Sequence, residues 1–158
     1  MVESGAISVE KGGESVFSGE FRHSVDAKGR VIMPSKFRET LGNKFYLTRG
    51  LDKNLLVYSC DEWQKVSEKL NSLPFVDKNS RALNRLLLSG CVECDVDKQG
   101  RILIPQPLRA YASILKDVTV IGNGNKVEIW SSESWDEYIN ALDPDAIAAN
   151  LCELGIMI

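Results

Sequence analysis

The chain has 158 residues, of which 44% are hydrophobic and 26% are charged, and its formal net charge is −3 at pH 7. This composition is typical of a soluble globular protein and excludes a collagen-like, wholly disordered or uniformly basic chain. No apolar run approaches the ~20 residues that a membrane-spanning helix needs, so we expect no membrane partner.

The N-terminal segment is rich in Gly, Ser and Glu and has neither the basic nor the apolar part of a signal peptide. We therefore expect a cytoplasmic protein with a disordered tail over residues 1–16. A second interpretation stays open, in which translation starts at Val16 from a valine codon and residues 1–15 are never made. The intact mass of the native protein separates the two.

The first strand-like runs, FRHSV and VIMP, flank a turn with the sequence DAKGR. Asp26 can accept a hydrogen bond from a backbone amide two residues further on, and Gly29 can adopt a positive φ without a steric penalty. Asp26 and Arg30 can then face each other as an ion pair. Such an exposed pair contributes little stability, so its expected use is to fix the loop and hold the arginine in one pose.

The rest of the first half predicts short helices between strands. Pro34 ends the second strand, and Gly42 ends the helix that follows it. Ser59 and Glu62 have the spacing of a capping box at the start of another helix. In chain order, the predicted elements are the helix SKFRETL, the strands KFYLTRG and NLLVYS around a turn at Gly50–Asn54, the helix from Ser59, and a helix from Asp77 to Leu88.

The second half repeats this plan, so the chain is an internal duplication. Its turn is DKQGR, followed by the strand ILIP, the helix PLRAYASIL and the strands VTVIG and KVEIW around the hairpin turn GNGN. At an offset of 71 residues, the identities are Ser18/Ser89, Gly19/Gly90, Val25/Val96, Asp26/Asp97, Gly29/Gly100, Arg30/Arg101, Pro34/Pro105 and Arg38/Arg109.

Each copy is too small to close a large core alone, so we expect the two to share one body. Many short strands with a few short helices predict a mainly β, barrel-like fold with helices at its edges. The predicted divisions are a tail at 1–16, a first repeat at 17–65, a helical linker at 66–88, a second repeat at 89–135 and a helical tail at 136–158.

The two copies differ in charge. Residues 17–50 carry seven basic and three acidic side chains, whereas residues 89–122 carry four of each. Basic side chains on loops bind phosphates, and arginine can also bind guanine with two hydrogen bonds. The charge pattern therefore makes Arg22 of the first copy a candidate DNA-binding residue. A solvated charged surface is the alternative explanation.

Other chemistry finds little support. Cys91 and Cys94 have the spacing of half a zinc site, but no second ligand pair accompanies them, and two small, partly buried apolar side chains in a strand are the favoured explanation. His23 is the only histidine, and no phosphate-binding or dinucleotide-binding glycine motif is present. We expect no enzyme activity, no metal, no cofactor and no small-molecule substrate.

The segment FSGEFRHSVDAKGRVIMPSKFRE, the second DKQGR with ILIP, and the linking RALNRLLLSG together resemble the MraZ family. These are bacterial regulators with two tandem SpoVT-AbrB domains, and the resemblance covers Phe17 to about Leu142. The resemblance implies a pseudo-symmetric, double-split AbrB-like β-barrel and a closed homo-oligomeric ring. It also implies a nucleoid-associated, autoregulatory repressor that binds short direct repeats in double-stranded DNA upstream of the division and cell-wall gene cluster.

By the same resemblance, the loop of the first motif contacts DNA, which assigns that role to Lys28 and Arg30. Asp26 and Gly29 then organise the first loop, and Asp97, Gly100 and Arg101 match them in the second motif. The alternative is a ring-forming assembly module that binds no DNA, in which Arg30 makes only a structural ion pair. The apolar C-terminal residues would suit contacts between subunits in either case.

Overall fold

Residues 16–158 are described by a computed structural model. The predicted disordered tail lies, except for Val16, outside the described residues, as does the question of where translation starts. The first repeat contains the elements β1 (Glu20–Ser24), β2 (Arg30–Ile32), α1 (Ser35–Leu41), β3 (Lys44–Arg49), β4 (Leu55–Ser59) and α2 (Cys60–Asn71).

The linker helix α3 (Lys78–Ser89) leads into the second repeat. That repeat contains β5 (Val92–Asp95), β6 (Arg101–Leu103), α4 (Gln106–Tyr111), β7 (Asp117–Asn123), β8 (Lys126–Ser131) and α5 (Ser132–Ala141). A last helix, α6 (Pro144–Glu153), follows. The predicted boundaries at 65 and 135 fall inside the continuous helices α2 and α5, and the division into domains stays a prediction.

Equivalent serines start the helix that ends each repeat. The Ser59 hydroxyl accepts a hydrogen bond from the backbone N–H of Glu62 at 3.2 Å, and the Ser131 hydroxyl accepts one from Ser134 at 3.0 Å. Each bond satisfies an amide that has no partner inside its own helix. The helix start predicted at Ser59 is therefore confirmed, and Ser131 starts the equivalent helix of the second repeat.

The two repeats share one antiparallel sheet of six strands, in the order β1-β7-β8-β4-β3-β5. The first strand of each repeat pairs with the hairpin of the other repeat, since β1 lies beside β7 and β5 lies beside β3. The order is therefore the same from either edge, with the two repeats exchanged. This arrangement explains why one copy could not form the body alone.

A separate two-stranded ribbon, β2 with β6, completes the body. Val31 and Ile102 point inward from the ribbon and join a core that includes Met33, Phe37 and Phe45, all at most 1% exposed. The strands β1 and β5 end the six-stranded sheet and do not pair with each other, so the described strands leave the barrel split. The predicted β body of two tandem repeats with short helices is confirmed.

No helix within residues 16–158 combines the length and the apolar character needed to cross a membrane.

Candidate nucleic-acid interface

The first loop, residues 25–30, is built around the carboxylate of Asp26. Its Oδ1 accepts hydrogen bonds from the backbone N–H groups of Lys28 at 3.0 Å and Arg30 at 2.9 Å, and its Oδ2 accepts one from Arg30 Nε at 2.8 Å. Gly29 adopts the positive φ of 86° that the sequence predicts. The backbone hydrogen bond from Arg30, together with its guanidinium and the amide of Lys28, holds the pKa of Asp26 below its ordinary value.

The second loop, residues 96–101, has the same geometry. Asp97 accepts from the backbone N–H groups of Gln99 and Arg101, both at 2.9 Å, and from Arg101 Nε at 2.9 Å. Gly100 has a φ of 80°. The same causes, led by the backbone hydrogen bond from Arg101, lower the pKa of Asp97. Both motifs therefore fix an arginine through a charged, hydrogen-bonded aspartate.

The ribbon places both arginines on one surface. In its register, Arg30 lies opposite Leu103 and Ile32 lies opposite Arg101. Opposed residues share a face and adjacent residues alternate, so Val31 and Ile102 point inward while the other four side chains point outward. We call this outward surface, formed by Arg30, Ile32, Arg101 and Leu103, the ribbon face.

The two loops also touch. Arg101 Nη1 lies 3.6 Å from Asp26 Oδ2, so the arginine of the second motif faces the aspartates of both motifs. Arg30 makes one ion pair, with Asp26, and within residues 16–158 its two terminal nitrogens have no hydrogen-bond partner. Of the two arginines, Arg30 therefore has the more available guanidinium.

Each loop is supported by an arginine from the other repeat. The guanidinium of Arg109 lies against Gly29, where the Cβ of any other residue would overlap it, and Arg38 lies in the equivalent place at Gly100. Arg38 Nε donates a hydrogen bond to the carbonyl of Met33 at 2.9 Å, which holds it there. The sequence analysis did not predict this role. The occurrence of arginine at the equivalent positions 38 and 109 of the two copies could have indicated it.

Arg22 is placed differently from the other candidates. It lies on β1, and its Nη2 is 2.7 Å from Asp136 of α5 and 3.1 Å from Glu20. These carboxylates raise the pKa of Arg22, and the guanidinium lowers that of Asp136. The geometry does not bring Arg22 onto the ribbon face, and two carboxylates offset its charge. Its contact with DNA stays a prediction.

Two further charges change the contrast between the copies. Lys28 is exposed in the first loop, and its ammonium makes no ion pair with the described residues. Glu93, an acidic residue of the second copy, is paired with Lys44 of the first repeat at 2.9 Å. The electrostatic difference between the loops is therefore smaller than the charge count along the chain indicates.

The cysteines at 91 and 94 lie in partly or fully buried surroundings. Cys94 is buried in the core, and burial raises its pKa to about 12, while partial burial raises that of Cys91 to about 11. Burial therefore favours the neutral thiol form of both side chains. In the described part of the chain, no group of three or more His, Cys, Asp or Glu residues could hold a metal ion.

Comparison with known proteins gives one consistent match. The model of the MraZ family, described as "MraZ protein, putative antitoxin-like", matches residues 16–86 and, a second time, residues 87–151. The two matches correspond to the two repeats that the internal duplication indicates.

Three similar proteins carry the name "Transcriptional regulator MraZ". The one from Caldanaerobacter subterraneus is 58% identical over 125 residues, which is 79% of this chain and 87% of the relative. The one from Thermoanaerobacter is 54% identical over 140 residues, covering 87% of this chain and 98% of the relative. The one from Acetivibrio thermocellus is 53% identical over 143 residues, covering 89% and 100%.

Proposed function

The chain belongs to the MraZ family, and we propose that it is a regulator of transcription that binds double-stranded DNA in a sequence-specific manner. The name of its relatives supports the regulatory part of this proposal. The DNA-binding part rests on the ribbon face, on which both arginine loops converge. A loop that fixes an arginine without burying it suits a ligand that the arginine must meet in one orientation.

The chemistry of the first loop fits a nucleic-acid contact. Asp26 engages Arg30 through Nε, which leaves the two terminal nitrogens to bind the O6 and N7 of guanine or two phosphate oxygens. Lys28, exposed beside it, suits a phosphate. Arg101 is shared between two carboxylates, so we assign it a smaller part in binding.

One subunit offers few contacts, so avidity is part of the proposal. We propose a closed homo-oligomeric ring in which neighbouring subunits bind successive direct repeats, because linked contacts multiply affinity. The repeats would lie upstream of the division and cell-wall gene cluster, which begins with the protein's own gene, and binding there would repress that cluster. The protein would work in the cytoplasm at the nucleoid, without a cofactor and without catalysis.

A reporter gene driven by the DNA upstream of the protein's own gene tests this function. We expect the wild-type protein to lower reporter expression and Arg30→Ala to relieve that repression. Arg85→Ala is the matched control, since it removes an exposed arginine of α3 that is not on the ribbon face. Equal expression with the wild-type protein and Arg30→Ala would contradict the proposal.

A ring-forming assembly module without DNA binding is the second candidate. It is favoured by the exposed apolar side chains of α6 and the C-terminus, namely Ile147, Leu154, Ile156, Met157 and Ile158. Salt separates the two functions. Binding to phosphates weakens steeply as the salt concentration rises, whereas assembly through apolar surfaces does not.

A further inference from the structure

The ribbon face carries two exposed aliphatic side chains that its arginines do not explain. Ile32 is 42% exposed and Leu103 is 53% exposed. The outward face of a β-ribbon that meets only water is usually polar, as alternation along each strand requires. Here the inward positions are filled by Val31 and Ile102, so the ribbon is apolar on both faces.

The two aliphatic residues occupy equivalent positions in the repeats. Ile32 follows Arg30 by two residues, and Leu103 follows Arg101 by two residues, at the same offset of 71 that relates the copies. Each lies opposite the arginine of the other repeat in the ribbon register. The pattern of one arginine beside one aliphatic side chain therefore occurs twice, related by the approximate symmetry of the fold.

The ribbon face has the size and chemistry of a surface that enters a major groove. A groove about 12 Å wide accepts a two-stranded ribbon, whose strands lie about 4.8 Å apart. The groove offers guanine acceptors for arginine, and its apolar group is the C5-methyl of thymine. Positive charge at the arginines complements the phosphates on both sides, which favours DNA over an apolar protein surface.

We propose that Ile32 and Leu103 recognise thymine methyl groups and so contribute to sequence specificity. This inference rests on the proposed function, because it concerns the same surface. Opposed side chains in a ribbon have Cβ atoms about 5 Å apart, and base pairs are stacked about 3.4 Å apart. The thymines concerned should therefore lie within about two base pairs of the bases that the arginines contact.

The test replaces single thymines by deoxyuridine in a duplex that the wild-type protein binds. This change removes the methyl group and keeps the Watson–Crick pairing. Burial of one methyl group corresponds to about a fourfold change in affinity. By fluorescence anisotropy, we expect the wild-type protein to lose about fourfold at one or more thymines, and Ile32→Ala or Leu103→Ala to lose affinity for the unmodified duplex.

The decisive experiment combines each protein variant with the deoxyuridine duplexes. At the thymine that Ile32 contacts, Ile32→Ala should show no further loss on deoxyuridine substitution, and Leu103→Ala should behave in the same way at its own thymine. Leu51→Ala is the control, since Leu51 is 72% exposed. It lies in the turn that follows β3, whereas the second loop lies beside the start of that strand. This variant should keep the full affinity and the full sensitivity to deoxyuridine.

Several outcomes would overturn the inference. The inference would be wrong, and the proposed function would stand, if no deoxyuridine substitution weakened binding by the wild-type protein. The same holds if Ile32→Ala and Leu103→Ala kept the full sensitivity to deoxyuridine. Absence of wild-type binding to any upstream duplex would remove the proposed function as well. If Ile32→Ala fails to fold, Ile32→Val and Leu103→Ala give two independent tests, and the native mass and melting temperature of each variant report its folding.

Discussion

At the scale of single residues, the site depends on two aspartates that each hold a loop and an arginine together. Asp26 and Asp97 each accept two backbone and one side-chain hydrogen bond with nearly equal distances. Because the bonds from the backbone fix the carboxylate first, the guanidinium is held in a defined pose. We therefore expect the aspartate of this motif to orient the arginine rather than to contact DNA itself.

The glycine of the first loop provides a stability test. Gly29→Ala should destabilise the protein, because the left-handed backbone costs about 1–2 kcal/mol in a residue with a Cβ and this Cβ would also displace Arg109. Gly124→Ala is the matched control, since Gly124 has a φ of 71° with nothing within 4 Å of the added Cβ. Chemical denaturation should show a larger loss in the free energy of unfolding for Gly29→Ala than for the control. Equal losses would mean that the contact between Arg109 and the first loop does not stabilise the protein.

Acid should weaken both loops. The folded-state pKa values of Asp26 and Asp97 are lowered, so the stability that the two carboxylates give is complete above their unfolded pKa of about 3.9 and is lost as the pH falls through the folded values. We expect the stability difference between the wild-type protein and the Asp26→Asn, Asp97→Asn double variant to shrink below about pH 4. A difference that stays constant from neutral to acid pH would contradict this linkage.

At the scale of elements, the repeats exchange their parts. The strand β1 completes the hairpin of the second repeat, β5 completes that of the first, and each loop rests on an arginine from the short helix of the other copy. The geometry of either loop consequently depends on a residue far along the chain, since Arg109 is 80 positions from Gly29 and Arg38 is 62 positions from Gly100.

Substitution of the supporting arginines tests the exchange. Arg109→Ala should loosen the first loop and weaken DNA binding more than Arg38→Ala, which should loosen the second loop, although neither lies on the ribbon face. Each variant loses a hydrogen bond from a charged group to a carbonyl, so the free energy of unfolding should fall by about 1–2 kcal/mol in both. A greater loss of DNA affinity in Arg38→Ala would mean that each loop is supported within its own repeat.

Local features could be predicted from the sequence, whereas the pairing between repeats could not. The turn around Asp26, the serine cap at Ser59 and the positive φ of Gly29 each depend on residues within a few positions. The contact of Arg101 with Asp26 and the diversion of Arg22 to Asp136 depend on partners far along the chain. Charge counted along the sequence therefore located the basic copy but overestimated how many of its cations are available.

At the scale of the whole molecule, the basic charge and the exposed apolar surface lie in different parts of the chain. Residues 127–158 contain seven acidic and no basic side chains, and the first repeat contains the basic excess. The helix α6 is exposed along nearly its whole length, and apolar side chains such as Ile147 within it and Met157 after it face solvent. An exposed apolar surface of this kind is typical of an interaction site, and we propose that another copy of the chain covers it.

Removal of the chain after Leu142 tests the part of the C-terminus in assembly. We expect the truncated protein to fold, since α6 contributes no residue to the core, and to assemble into fewer subunits because apolar subunit contacts are lost. Light scattering checks this when the native mass is divided by the mass of the truncated chain. An unchanged number of subunits would place the subunit contacts elsewhere on the molecule.

We propose that the ribbon face binds DNA mainly through Arg30. The most direct measurement is fluorescence anisotropy of the duplex upstream of the gene with the wild-type protein, Arg30→Ala and Arg85→Ala, at low and at moderate salt. We expect tight binding by the wild-type protein and Arg85→Ala that weakens steeply as salt rises, and no specific binding by Arg30→Ala in spite of an intact fold and oligomer. Wild-type affinity in Arg30→Ala, or no wild-type binding at either salt concentration, would contradict the claim.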